Sequence, residues 1–140
     1  MTTALFSHPI CLQHQTPPGH PESSERLAAV LERLNDPEFD ALVRREAPKA
    51  ERSQISRAHG IPYMRNVLES VPDEGIFDYA VDTTLSKASG EAILRAAGAV
   101  CAAVDAVADG EVQNAFCAVR PPGHHAGRSQ AMGFCFVNNV

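Results

Sequence analysis

The sequence predicts an α/β fold with a parallel sheet, and two neighbouring segments near its C-terminal end carry that prediction. The first is a helix over Ser89–Asp109, whose apolar positions share one face: Ile93, Ala96, Ala97, Val100, Val104 and Val107. The second is the unbroken apolar run Ala115–Val119, which is typical of a strand covered on both faces. Arg120-Pro121-Pro122-Gly123 ends that run, because proline cannot donate to a sheet ladder. We therefore expect Ala115–Val119 to be an interior parallel strand.

Composition limits the protein to a few broad classes. A chain of 140 residues with 44% apolar residues forms at most one domain. The net charge of −5 and the lack of a basic run argue against a nucleic-acid surface. No apolar run reaches the roughly 18 residues of a membrane helix, and the N-terminus lacks the pattern of a secretory signal. Its four cysteines have no CxxC spacing, so we expect reduced thiols and a cytoplasmic protein.

The other elements follow from periodicity and turn residues. Thr3–Ser7 is predicted as a first strand, and an i, i+3, i+4, i+7 apolar stripe predicts a helix over Ser23–Asn35. A strand and two short helices are predicted next, over Ala41–Ala47, Glu51–His59 and Pro62–Val71. His59 is expected to end its helix and to be structural. Pro72–Ser86 is predicted to be irregular, and Met132–Val137 to be a buried segment.

His124 and His125 directly follow the Pro-Pro-Gly stop, at the carboxyl end of the predicted strand. Ligands of open α/β sheets gather at that end. Two solvated loop histidines are one interpretation, and a pair of general acid/base groups is another, because imidazole titrates near neutrality. A shared metal ion is disfavoured, since side chains at i and i+1 rarely converge on one ion. Spacing alone leaves these interpretations open.

Two motifs, RPPGHHA at 120–126 and MGFCFVNN at 132–139, resemble the signature of the histone deacetylase superfamily. The resemblance is greatest to the bacterial branch with acetoin-utilisation and acetylpolyamine deacetylases. It implies an arginase/deacetylase-type three-layer fold, of which residues 1–140 would be the N-terminal part. It also implies that His124 and His125 are the proton-transfer pair. The carbonyl of Gly133 would receive the substrate amide N–H, and Phe134 would form one aromatic wall of the substrate channel.

Two weaker matches extend the resemblance. His20-Pro21-Glu22-Ser23-Ser24-Glu25-Arg26 follows the family's His-Pro-Glu-x-Pro-x-Arg pattern, with Ser24 in place of the second proline. Arg26 then matches a buried arginine that lines an internal channel, although an ordinary surface arginine is the alternative. Asp82-Thr83 matches the place of a rim residue, often Asp, that grips the substrate backbone. The following Ser86-Lys87-Ala88-Ser89 departs from the family's usual Ser-Pro-Gly-Ser.

The family's chemistry needs a divalent metal, normally zinc, held by two aspartates and a histidine with one position open. In the family these ligands follow the Asn-Asn pair, so none is expected among these 140 residues. A local set of His8, His14 and His20 with Asp78 or Asp82 is disfavoured. The resemblance implies hydrolysis of acetylated lysine or an acetylated small amine, and a catalytically inactive module is the alternative. Strands that lack neighbours expose apolar edges, so we also expect self-association.

Overall fold

The computed structural model describes residues 1–140 and contains five strands and five helices. In chain order they are β1 (Thr3–Ser7), α1 (Ile10–Gln13), α2 (Ser24–Arg33), β2 (Val43–Glu46), α3 (Arg52–Ala58), α4 (Ile61–Glu69), β3 (Ile76–Ala80), β4 (Thr83–Ser86), α5 (Ser89–Ala108) and β5 (Asn114–Ala118). A 3-10 turn over Pro37–Phe39 precedes β2. None of the helices is both long enough and apolar enough to cross a bilayer.

Three strands form a parallel sheet in the order β2-β1-β5. The central strand is β1, and its Leu5 lies between Arg44 of β2 and Phe116 of β5. Ala4, Leu5 and Phe6 are buried because helices cover both faces of this strand. The parallel pairing brings the carboxyl ends of β1 and β5 to one edge of the sheet, where the His-His loop begins.

Helices pack on both faces of this sheet. Alternate side chains of β1 point to opposite faces, so Ala4 and Phe6 meet α5 while Leu5 meets α1 and α2. Small residues on α5 permit a close approach, and a Cβ at Gly98 would lie 2.0 Å from the carbonyl oxygen of Pro48. This helix–sheet–helix layering confirms the predicted α/β class and three-layer arrangement.

A separate apolar cluster supports the C-terminal segment. It joins α3, α4, β4 and the first half of α5 to Phe136 and Val137. Tyr63 of α4 donates a hydrogen bond to the carbonyl of Phe136 at 2.8 Å. Phe136 is fully buried, so the segment after the His-His loop is held firmly against the core. Within the predicted buried segment Met132–Val137, the last three residues are buried and Met132 is exposed.

Two sequence-based predictions about strands are wrong. The run predicted as an interior strand, Ala115–Val119, does pair in parallel with β1, but β5 is an edge strand and Phe116 is 50% exposed. An apolar run identifies a strand and its covered faces, but it carries no information on how many strands pair with it. The segment predicted as irregular, Pro72–Ser86, contains the antiparallel pair β3 and β4. The acidic residue Asp78 within β3 obscured the strand pattern, and it is tolerated because β3 is largely exposed.

Candidate active site

The predicted proton-transfer pair lies on the loop that follows β5. His124 and His125 are both exposed, and their ring centroids are 4.2 Å apart with the planes inclined by 53°. The loop backbone packs tightly beneath them, because a Cβ at Gly123 would lie 2.0 Å from the Oδ1 of Asn139. Glycine is therefore required at this position, and the close approach ties the His-His loop to the Asn-Asn pair.

Gly133 and Phe134 form a tight turn beside His125. Met132 and Cys135 exchange both backbone hydrogen bonds, at 3.1 and 3.0 Å, as in a two-residue hairpin. Both central residues have positive φ, 58° for Gly133 and 69° for Phe134. A Cβ at Gly133 would lie 2.7 Å from ring atoms of His125, so only glycine lets the turn meet the imidazole.

A cavity of about 510 Å³ joins these groups. Its lining includes His124, His125, Gly133, Phe134 and Arg26, with β5 and α2 forming the remaining walls. Arg26 is exposed in this chain, not buried as the resemblance implied, and its guanidinium donates to the carbonyl of Pro21 at 3.1 Å. It lies in the first turn of α2, on the solvent side of the cavity.

Asp82 does not line this cavity, but it contacts the turn that does. Its two carboxylate oxygens accept from the N–H of Gly133, at 3.0 and 3.1 Å. The next residue, Thr83, accepts from the N–H of Phe134 at 3.1 Å and donates to Asp82 at 2.8 Å. Thr83 was not among the site residues predicted from the sequence, and its position beside Asp82 was the one available signal.

Behind the His-His loop lies a buried ion pair that was not predicted from the sequence. Arg120 is 5% exposed and Glu22 is 7% exposed, and the guanidinium binds both carboxylate oxygens. Arg120 also donates to the carbonyls of Cys11 and His14, at 2.8 and 2.9 Å. This network fixes the start of the loop to α1 and to the segment that follows it. The His-Pro-Glu motif and the Arg before Pro-Pro-Gly were the signals that could have suggested it.

Two buried histidines are structural. Burial lowers the pKa of His14 to about 4, with the Glu22 carboxylate opposing that shift, so the imidazole is neutral at pH 7. His14 Nδ1 lies 2.7 Å from the hydroxyl of Ser89. His59 accepts from the N–H of Asn138 at Nε2, at 2.7 Å, so its other nitrogen donates to the carbonyl of Arg128. Burial lowers the pKa of His59 as well, in keeping with its predicted structural role.

A third histidine contacts the predicted channel wall. The ring of His20 meets Phe134 edge-on, with the centroids 4.6 Å apart. Its Nδ1 lies 3.0 Å from the carbonyl oxygen and 3.1 Å from the N–H of Glu22. His20 belongs to the His-Pro-Glu motif, but the motif gave no reason to place it against residue 134.

The side chains of this chain do not fit a zinc site. No group of three or more His, Cys, Asp or Glu side chains lies close enough together to hold a metal ion. All four cysteines are free, and burial raises the pKa of each thiol: Cys11, Cys101, Cys117 and Cys135. They are therefore weak thiolate ligands and weak nucleophiles.

The chain is similar in sequence to a known protein family. The sequence profile of the histone deacetylase domain matches residues 20–140. The chain is 35% identical to a probable deacetylase of Archaeoglobus fulgidus, over 100% of this chain and 39% of the relative. It is 33% identical to the histone deacetylase-like amidohydrolase of Pseudomonas aeruginosa, over 99% of this chain and 41% of the relative.

A solved structure is also similar to this chain. The crystal structure of the HDA15 HD domain superposes with a TM-score of 0.89 at 28% sequence identity, covering 99% of this chain and 41% of that one. The chain thus spans about two fifths of these two relatives and of this structure. The matched residues include the whole His-His loop and the Gly133–Phe134 turn. The chain therefore belongs to the histone deacetylase family.

Proposed function

We propose that this chain forms the proton-transfer half of a metal-dependent deacetylase, which removes acetyl groups from acetyl-lysine or from acetylated small amines. One observation carries the proposal: the ring centroids of His124 and His125 are 4.2 Å apart, and both rings line a cavity that Gly133 and Phe134 also line. Membership of the histone deacetylase family supports the reaction class.

Hydrolysis of an amide requires a proton to leave the attacking water and another to reach the departing amine. Imidazole suits both steps, because its ordinary pKa near 6.5 lies close to neutral pH. The side chains of His124 and His125 are exposed and line the cavity, where substrate and water can reach them. In our proposal His124 and His125 share these two proton transfers.

The substrate would be held by the turn beside the histidines. Phe134 would pack against the apolar stem of an acyl-lysine-like chain, and the carbonyl of Gly133 would accept the amide N–H. That carbonyl already accepts from the thiol of Cys135 at 3.1 Å, and its second lone pair remains for the substrate. Asp82 would grip the substrate backbone at the rim.

Zinc, in this proposal, is held by residues outside positions 1–140, since the side chains of this chain do not form its site. We accordingly propose that residues 1–140 are the N-terminal part of one deacetylase domain and are inactive alone. The coverage of about two fifths of its relatives supports this division. Four free thiols support a reducing, cytoplasmic setting for the protein.

A catalytically inactive module is the second candidate. The observation that favours it is the lack of any ligand set for a metal among the residues of this chain. Such a module would act only by association, and the exposed edge strand β5 offers a surface for it. The two candidates differ in whether any form of the protein that contains this chain turns over an acetyl-amide.

An acetyl-lysine reporter assay with added zinc tests the proposal on the 140-residue chain and on a longer chain that continues its sequence. The short chain is expected to show no turnover and the longer one to be active. In the longer chain, His125→Ala should lower kcat by about 10²–10⁴-fold, the usual effect of losing a positioned proton-transfer group. His124→Ala should also lower it. Zinc content should be unchanged in both variants.

The matched control is His8→Ala, which removes a half-buried imidazole that contacts Glu46 outside the cavity. It should leave kcat unaltered. Turnover by the short chain would contradict the proposed position of the metal site. A longer chain that binds zinc but remains inactive would instead favour the non-catalytic module.

A further inference from the structure

The Gly133–Phe134 turn has an uncommon backbone conformation. Phe134 is the one non-glycine residue of the chain with positive φ, at 69°, in a region that bulky side chains rarely adopt. Its neighbour Gly133 also has positive φ, at 58°. Such residues persist only where their surroundings hold them, and they concentrate at functional sites.

The contacts that hold this turn come from two adjacent residues at the start of β4. The N–H of Gly133 donates to both carboxylate oxygens of Asp82, and the N–H of Phe134 donates to the hydroxyl of Thr83. The Thr83 hydroxyl in turn donates to Asp82 at 2.8 Å. Because the hydroxyl donates to a carboxylate while it accepts from Phe134, each bond strengthens the other.

The strand β4, which begins at Thr83, is buried along its whole length. Thr83 is fully inaccessible to solvent. Leu85, on the same strand, belongs to the apolar cluster that also contains Phe136. Asp82 and Thr83 therefore connect the turn to the core by hydrogen bonds. His20 touches the ring of Phe134 from another side, but it makes no hydrogen bond to the turn.

We propose that Asp82 and Thr83 are a positioning pair, which holds the Gly133–Phe134 turn in its left-handed conformation through two consecutive backbone N–H groups. This placement sets where the Gly133 carbonyl and the Phe134 ring stand relative to His125. The importance of that placement for substrate rests on the proposed function, whereas the anchoring itself does not. The anchoring also leaves room for a substrate contact, because Asp82 is exposed and a carboxylate has about four acceptor sites.

Amide hydrogen exchange of the 140-residue chain, followed residue by residue by NMR, tests the anchor directly. Thr83→Val keeps the size of the side chain and removes the hydroxyl. The exchange of the Phe134 N–H should then speed up by about tenfold or more, as expected for a locally released amide. Thr83→Ser restores the hydroxyl and should return the rate to within about threefold of the original.

The neighbouring Thr84 provides a matched control. Its buried hydroxyl has no hydrogen-bond partner, so Thr84→Val should leave both turn amides unchanged. Asp82→Ala, at an exposed position, should speed up exchange of the Gly133 N–H and carries the test if Thr83→Val does not fold. Unaltered Phe134 exchange in Thr83→Val, or failure of Thr83→Ser to restore it, would overturn the anchoring role.

The functional consequence is measured separately, in a longer chain that turns over the acetyl-lysine reporter. There Thr83→Val should raise KM several-fold with a smaller change in kcat, because the turn contacts the substrate and does not transfer protons. Thr83→Ser should recover the original KM. Faster Phe134 exchange without a KM effect would leave the anchor standing and would count against the substrate contacts of the proposed function.

Discussion

Removing the guanidinium of Arg120 should cost this protein a large part of its stability. Arg120→Met keeps an unbranched apolar stem of similar reach, but it leaves the buried Glu22 carboxylate without its partner. The carbonyls of Cys11 and His14 lose their donor in the same step. Breaking a buried ion pair from one side typically costs about 3–5 kcal/mol. We expect a value in that range, because both partners are less than 10% exposed.

Urea unfolding at pH 7 measures this cost. The urea concentration at the unfolding midpoint should fall, while the dependence of the unfolding free energy on urea stays constant. A change in the midpoint alone reports a change in stability. The free energy of unfolding of a domain is only about 5–15 kcal/mol, so Arg120→Met should also lower the melting temperature measurably. Adding Glu22→Met to Arg120→Met should recover part of the loss, since no charge then remains buried and unpaired.

Arg33 provides the comparison for a surface ion pair. It bridges Asp36 and Glu38, and its side chain is 54% exposed. Arg33→Met should therefore cost only about 0–1 kcal/mol. If Arg120→Met cost no more than Arg33→Met, or if the double variant were less stable than Arg120→Met, the inference of a buried, desolvated pair would be refuted.

Two further predictions concern pH and self-association. The pKa of His14 is lowered from 6.5 to about 4, so between those values the unfolded chain binds a proton that the folded chain does not. The free energy of unfolding should therefore rise by about 3 kcal/mol across that pH window, at about 1.4 kcal/mol per pH unit. Urea titrations at several pH values should show a smaller rise for His14→Asn. An equal rise in this variant and in the wild type would contradict the role of His14. Phe116 is half-exposed on the edge strand β5 and should promote self-association of the chain. Phe116→Lys should therefore lower light scattering. Val81→Lys, at an exposed position on the β3–β4 turn, is the control and should not lower it. A wild-type chain that stays monomeric with a sharp transition above about 65 °C would contradict the second expectation.

The sequence by itself determined the family and most of the local elements, but not the strands β3 and β4. Apolar periodicity predicted β1 over Thr3–Ser7 with both ends correct, and it predicted the long helix to within one residue of Ala108. The Pro-Pro-Gly that follows the apolar run predicted the end of β5 to within one residue of Ala118. These signals are readable because they depend on neighbouring residues, whose spacing decides which face of an element is apolar. The signature from Arg120 to Asn139 identified the family and led to the prediction that His124 and His125 are a proton-transfer pair.

Only the tertiary structure decided which distant groups meet. Glu22 binds Arg120 across 98 positions, and Asp82 binds the N–H of Gly133 across 51. No periodic pattern encodes such partners, because a buried polar group is satisfied by whatever donor the folded chain brings to it. The edge position of β5 has the same origin: strand order depends on long-range pairing, whereas the apolar run that forms the strand depends only on its own residues.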